Sequence, residues 1–314
     1  MTNSPEHNLS VSIKQKIHEL GFDLCGIAKA RALDEYGPFI EKWVEAGMND
    51  KMEYLARNIG KRLNPENLFP EAKSLVVTGL SYYSEISQKD PDAPVLSRYT
   101  YGINYHDVIS ERLEKLLAWI KSAEPKAEGR IVVDSAPLLE KAWAREAGLG
   151  WQGRHSILIS KKIGSFFFIG TLILNIDLDY DAPFEKEYCG DCRICIDKCP
   201  TGAINDNRTI NARKCIANIT IERRGPIPEE LVPYLGRRIY GCDRCQEVCP
   251  WNIKTKQNKT PEFAINDEVA GMGLNDWMNL SREQFSRLFE KTSMGRIKYE
   301  KLMGNIEAAL RSDS

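Results

Sequence analysis

Eight of the nine cysteines fall between Cys189 and Cys249, and that crowding constrains the chain more than any other feature. The first run is Cys189-x2-Cys192-x2-Cys195-x3-Cys199-Pro200. Cys215 follows, and then Cys242-x2-Cys245-x3-Cys249-Pro250. The N-terminus, MTNSPEHNLSVSIKQKI, lacks the apolar core of a signal peptide. The most apolar stretch, FFFIGTLILNI from Phe166 to Ile176, is far shorter than the ~20 residues of a membrane span. The chain is therefore expected in the cytoplasm, off the membrane, where thiols stay reduced and clustered cysteines bind metal rather than form disulfides. Zinc sites usually use separated CxxC pairs. Four cysteines in one overlapping run favour iron–sulfur clusters instead. Cys25, outside the runs, reads as a core thiol.

Three thiolates spaced x2, x2 can hold three irons of one cubane, and in two-cluster proteins the cysteine before the proline serves the other cluster. This crossed pattern assigns Cys189, Cys192, Cys195 and Cys249 to one [4Fe–4S] cluster. It assigns Cys199, Cys215, Cys242 and Cys245 to a second. Two clusters form a single-electron wire, so the roughly 180 residues before them must exchange electrons with something. No GxGxxG follows a strand there, so a Rossmann nucleotide site is unsupported.

At 314 residues the chain has room for about two domains. A composition 42% hydrophobic and 28% charged supports a packed core. Leu9, Ile13, Ile17 and Leu20 line one helical face that Gly21 ends, and Leu113, Leu116, Leu117 and Ile120 line another. Ser74–Leu80 and Ile131–Val133 read as strands, and Ser156–Ile159 with Phe166–Leu174 as a hairpin turning at Lys161, Lys162 and Gly164. Pro137 is expected to open a helix that Gly148 closes. Ser281 and Gln284 suit a capping box, a last helix carries Leu302, Met303 and Ile306, and the terminal RSDS should fray. The fold class is α+β, with domains expected over 1–182, 183–258 and 259–314, the last a short helical segment.

Three segments, in order along the chain, resemble the epoxyqueuosine reductase family: SRYTYGINYH (97–106), RIVVDSAPLLEKAWAREAGLGWQGRHSILIS (130–160) and IPEELVPYLGRRIYGCDRCQEVCPWN (227–252). The resemblance implies a nitroreductase-like cobalamin-binding domain followed by a ferredoxin-like two-cluster domain. It implies base-off cobalamin, fed with electrons by the clusters, and reduction of the epoxide of epoxyqueuosine at the tRNA wobble position to give queuosine and water, the last step of queuosine biosynthesis. Asp134 would be the acid that protonates the leaving oxygen, with its pKa raised by burial beside the corrin. Read without the resemblance, the pattern favours Asp134 or Ser135 as a simple cap of the helix opened by Pro137. Tyr105 and His106 are candidates for the substrate pocket. Arg57, Ser97, Gln152, Gly153, His155 and Ser156 are candidates for contacts with the corrin. The loop reads GRH at 153–155 where GKN is expected of the family, which unsettles the contacts of Arg154 and His155.

A tRNA partner requires a basic surface. From Arg208 to Lys259 there are 11 basic and 5 acidic residues, on a chain with net charge −1. A patch of that kind suits phosphate contacts, with Arg223, Arg224, Arg237 and Arg238 foremost. Many relatives continue into a helical-repeat region that helps hold tRNA, and GRIKYEKLMGNIEAAL resembles its beginning. A chain ending soon after is expected either to grip tRNA through the ferredoxin-like domain alone or to bind it with lower affinity. A monomer is expected, and the electron donor stays unassigned. Two other functions fit the cysteines: a dehalogenase-like corrinoid reductase of a small molecule, and a non-enzymatic electron carrier. The basic segment disfavours the former. The latter would contain iron without cobalt.

Overall fold

The computed structural model describes residues 5–312; residues 1–4 and Asp313 and Ser314, two of the terminal residues expected to fray, lie outside the described residues. Four strands form the main sheet: β1 (Leu24–Lys29), β2 (Ser74–Ser81), β4 (Gly129–Val132) and β7 (Phe167–Leu174). A two-residue β3 (Val95–Leu96) lies between β2 and β4 in the chain and belongs to a different sheet. The main-sheet order is β1-β2-β7-β4, antiparallel throughout. Every residue of β2 is buried. A strand covered on both faces reads as a continuous apolar run, as SLVVTGL does. Val76 and Leu80 pack with Ile13 and Ile17 of the Pro5–Glu19 helix and with Ile109, Leu113, Leu116 and Ile120 of the Tyr105–Ala123 helix. Leu75 and Val77 point the other way, onto Trp143 and Ala144 of the Glu140–Glu146 helix. The period-2 alternation of a strand thus feeds two helical layers.

Some local expectations change. Leu158–Ile159 (β6) pairs with Trp151–Gln152 (β5), not with β7. The turn over 161–163 does close, through a bridge between Ser160 and Gly164, but β7 beyond it is claimed by β2 and β4. Those neighbours offer ladders of eight and four paired residues, which a two-residue strand cannot match. The helix expected at Pro137 starts at Glu140, with Leu139 before it and no side-chain cap. Asp134 and Ser135 therefore do not cap it. The capping box does form: Ser281 Oγ accepts from the Gln284 amide at 3.1 Å, and Gln284 Oε1 accepts from the Ser281 amide at 2.9 Å. Cys25 is half-buried on β1, and burial raises its thiol pKa.

A second core joins Ile216, Ile219, Ile239 and Tyr240 to Trp277, Phe289, Leu302 and Ile306. Ala93, Leu96 and Tyr101 from the first half of the chain enter it. The boundary expected at 258 therefore cuts through one core, and the helical C-terminus is part of the wall of the cysteine-bearing region. β3 pairs in parallel with β8 (Arg238–Tyr240), which lashes the two halves together.

The two halves also meet through a buried polar cluster. Asn252 Oδ1 accepts from the Ser165 amide at 2.8 Å, and its Nδ2 donates to Ser165 Oγ (2.9 Å) and to the Gln246 carbonyl (2.7 Å). Ser165 Oγ in turn donates to Gln246 Oε1 at 3.0 Å. Ser165, Gln246 and Asn252 are all buried. Asn252→Leu keeps the branching and the number of side-chain heavy atoms but strands these groups, at about 1–3 kcal/mol for each group left unpaired. The expected result is a melting temperature several degrees lower for the anaerobically prepared variant. An unchanged melting temperature would show that the cluster does not fasten the halves.

Candidate functional site

The cysteine sets are presented by short turns. The Cys192 amide donates to the Cys189 carbonyl at 3.0 Å, and the one-turn helices Ile194–Asp197 and Arg244–Glu247 carry Cys195 and Cys245. Cys189, Cys192, Cys195 and Cys249 line one cavity of about 150 Å³, together with Tyr188, Trp251, Arg154 and His155. Cys249 packs with Trp151 and Trp251. Burial pushes the Cys249 thiol up to about 11, and Cys189, Cys195 and Cys192 add to the rise. The other four cysteines likewise influence one another. Burial, then Cys242, Cys215 and Cys199, hold Cys245 well above the usual thiol range, and burial pushes Cys242 up to about 12. Thiols so placed ionise when a metal supplies compensating charge, which is the donor chemistry of a cluster site. Among the described residues no group of three or more His, Cys, Asp or Glu is placed to hold a single metal ion.

Two larger cavities, of about 560 and 1130 Å³, meet at Leu55, Arg62, Tyr105, Asp134, Glu140 and Lys141. Each is substantial beside the ~300–1,000 Å³ of ordinary ligand pockets. The smaller is walled by apolar side chains such as Phe39, Trp43, Ile157 and Ile169. The larger is more polar and reaches Tyr54, Asn58, His106 and Arg296. Ala217 and Ile221, just beyond Cys215, line it too. Ala217 follows Cys215 by two residues and so brings the second cysteine set to the wall of the larger cavity. The second cysteine set therefore abuts the cavity.

Asp134 stands at that junction on a left-handed backbone (φ +51°), which Asp tolerates better than most residues. Its amide donates to Glu140 Oε1 at 3.0 Å, and its Oδ2 accepts from the Tyr105 hydroxyl at 2.8 Å. Tyr105 is held by stacking on Phe168, with centroids 4.1 Å apart and planes 5° apart. Asp134 is exposed to the cavity, and Glu140 is the half-buried carboxyl. Burial, and then the neighbouring Asp134 carboxylate, push Glu140 up to about 8. Burial lowers the Lys141 ammonium, whose Nζ donates to the Ser156 carbonyl at 3.1 Å.

The structure separates the other residues singled out from the sequence. His106 lines the larger cavity, its ring 4.3 Å from that of Tyr105. Gln152 and Ser156 line the smaller one and bond to each other at 3.1 Å. His155 turns instead into the cavity of the first cysteine set, where burial lowers it to about 4. Gly153 packs against Ile159 and His155. Ser97 is buried and donates to Asp243 between Cys242 and Cys245, so it braces a cysteine loop and lines neither large cavity. Arg57 pairs with Glu53 at 2.9 Å on an exposed helix, outside both cavities. Arg62 takes the cavity position, with a buried Nε that has no partner. Of the basic residues, Arg223 lies 3.8 Å from Asp50 and Arg237 3.2 Å from Asp92. Arg238 donates to the Leu235 carbonyl at 3.1 Å, and Arg224 is exposed. Sequence reasoning missed Arg62, Glu140, Lys141 and Arg296. Glu140 and Lys141 lie inside the resembling segment, six and seven residues after Asp134, but their convergence with Arg62 and Arg296 depends on the tertiary fold.

A mixed α/β body with an acid at the junction of two cavities, and a cysteine set abutting them, defines an iron–sulfur oxidoreductase. Residues 188–252 match the family described as 4Fe-4S double cluster binding domain. Residues 62–135 match the one described as epoxyqueuosine reductase QueG, DUF1730. The chain is 41% identical to epoxyqueuosine reductase of Cellulophaga algicola, over 94% of this chain and 96% of that one. It is 43% identical to that of Leadbetterella byssophila, over 95% and 97%. A solved epoxyqueuosine reductase with an epoxyqueuosine-modified tRNA-Tyr stem loop is similar at TM-score 0.89 and 28% identity, covering 98% of this chain and 82% of that one. The chain belongs to the epoxyqueuosine reductase family. No helix among the described residues is long and apolar enough to cross a membrane.

Glu140 carries a pH signature. Its folded pKa, about 8, lies above the ordinary carboxylate value of 4.5. Below pH 4.5 both folded and unfolded states hold the proton, and nothing is lost. Between 4.5 and about 8 only the folded state holds it, so this group's contribution falls as pH rises and levels off above 8. Glu140→Gln removes the penalty. The gain in melting temperature over wild type should therefore be larger at pH 8 than at pH 5. An equal gain at both values would refute the assignment.

Proposed function

We propose that this chain reduces the epoxide of epoxyqueuosine in tRNA to the alkene of queuosine. Two electrons and two protons are consumed, and the epoxide oxygen leaves as water. The observation that carries the reading is Asp134, held by Tyr105 at the junction of two cavities that a cysteine set abuts. The crossed sets, Cys189, Cys192, Cys195, Cys249 and Cys199, Cys215, Cys242, Cys245, would each hold a [4Fe–4S] cluster. The second, whose Cys215 lies two residues before Ala217 in the cavity wall, would be the one that passes electrons to the site.

The joined cavities suit a large, amide-fringed cofactor such as base-off cobalamin. Their volume, the apolar wall of Phe39, Trp43 and Ile157, and the unpartnered Arg62 Nε support that fit. When bound, cobalamin would supply the electron-rich cobalt at which the C–O bond is broken. Gln152, Ser156, Arg62 and Lys141 would hold it. Asp134 would donate the proton that the leaving oxygen needs, and the Tyr105 hydroxyl aims its carboxyl. Glu140, neutral up to about pH 8, spares Asp134 a second negative charge. His106, Tyr54 and Arg296 would face the nucleoside. The exposed Arg224, with Arg223, Arg237 and Arg238 after exchange of their local partners, would meet tRNA phosphates. The domain plan is a nitroreductase-like unit over 1–182 and a ferredoxin-like unit from 183, sharing its core with 259–314. A cytoplasmic monomer served by a separate electron donor completes the reading.

Anaerobic reconstitution with iron, sulfide and cobalamin should yield about eight irons and one cobalt per chain. Asp134→Asn should retain both metals while queuosine formation, read by mass spectrometry of digested tRNA, falls by ~100-fold or more. Product at the wild-type rate would remove Asp134 from the acid role. Iron without cobalt would favour the electron-carrier reading.

A further inference from the structure

His155 is 2% exposed, and its Nε2 has no hydrogen-bond partner. Its Nδ1 accepts from the Ile157 amide at 3.2 Å. A neutral ring that accepts at Nδ1 carries its proton at Nε2. The ring lines the cavity of about 150 Å³ whose other walls include Cys189, Cys192, Cys195, Cys249, Arg154 and Tyr188. Gly153 lets the ring lie where it does, since a Cβ there would sit 2.9 Å from His155 Cε1. A buried donor without a partner costs about 1–3 kcal/mol. Apart from the Tyr188 hydroxyl, which Lys161 engages, the side-chain acceptors that line this cavity are the sulfurs of the four cysteines, joined by those of the cluster they would hold.

We propose that His155 Nε2–H donates a hydrogen bond to a sulfur of the cluster bound by Cys189, Cys192, Cys195 and Cys249, and so raises that cluster's reduction potential. The inference rests on the reading of these four thiols as one ligand set. A donor on sulfur stabilises the reduced, more negative cluster, which is how outer-sphere groups tune such centres. This gives His155 a different task from the corrin contact expected for it. It acts through the cluster more remote from the substrate cavity and sets how readily that cluster accepts electrons from a donor. It is a positioning and tuning residue, since it touches neither substrate nor reacting carbon.

The test uses the full-length, anaerobically reconstituted protein in three forms: wild type, His155→Leu and His155→Gln. Iron content is measured first, and EPR-monitored redox titration then gives the midpoint potential of each cluster. All three forms should hold the same iron. In His155→Leu one midpoint should move to a more negative potential while the other stays put, and His155→Gln, which restores an N–H, should bring it back toward wild type. Unchanged midpoints in a fully loaded His155→Leu would overturn the proposal. Pulsed EPR of ¹⁵N-histidine-labelled wild type offers a check that needs no stable variant: a nitrogen coupling to one reduced cluster is expected, absent in His155→Gln, and its absence in wild type would also overturn the proposal. Failure of the underlying reading looks different. Cys249→Ser would then leave both cluster signals and the full iron content intact.

Discussion

Everything at this site depends on the contact between the cysteine loops and the sheet domain, and that contact is polar and buried. Asp243, between Cys242 and Cys245, accepts from the Arg98 amide at 2.7 Å and from the Ser97 hydroxyl. Burial pushes its pKa up, while the Arg98 amide, Ser97 and the Arg98 guanidinium oppose the rise. A few residues on, Asn252 and Gln246 lock onto Ser165 at the foot of β7. Apolar packing would tolerate sliding. Directional hydrogen bonds in a buried interface do not, because a group that moves out of register is left unpaired. The loop that carries Cys242, Cys245 and Cys249 is thereby held in one place against the sheet domain.

The cavity separates two carboxyls by environment. Asp134 faces the open space, braced by Tyr105, and Glu140 lies behind it, half-buried and raised by burial. The main-chain amide between them uses a left-handed residue to turn the chain sharply after β4. That turn is also why the sheet end, and not the helix, presents the acid.

Much of this was legible in the sequence. The x2, x2, x3, Pro spacing and its echo at Cys242 point to two crossed sets, and the structure gathers Cys249 with Cys189, Cys192 and Cys195 across the intervening chain. The stripes at Ile13 and Ile17 and at Leu113, Leu116 and Ile120, the strand SLVVTGL and the Ser281 capping box were readable because each is local: period, branching and side-chain reach suffice. β6 was misassigned because two strands compete for one partner, and sequence spacing does not rank ladders of different length. Position 155 was read by its neighbours in a loop, yet its ring turns away from the cavity that Gln152 and Ser156 line.

The sequence by itself determined the iron–sulfur cysteine pattern, the position of the Asp134 carboxyl just after a strand, and the family, since all three are carried by residue types at fixed short separations. Only the tertiary structure decided which side chains meet. It placed Arg62 rather than Arg57 in the cavity, sent Ser97 to a cysteine loop, and gave the raised pKa to Glu140. It also ran one core across residue 258. Each of these depends on contacts between residues tens to hundreds of positions apart, where burial and hydrogen-bond geometry in three dimensions outweigh anything local.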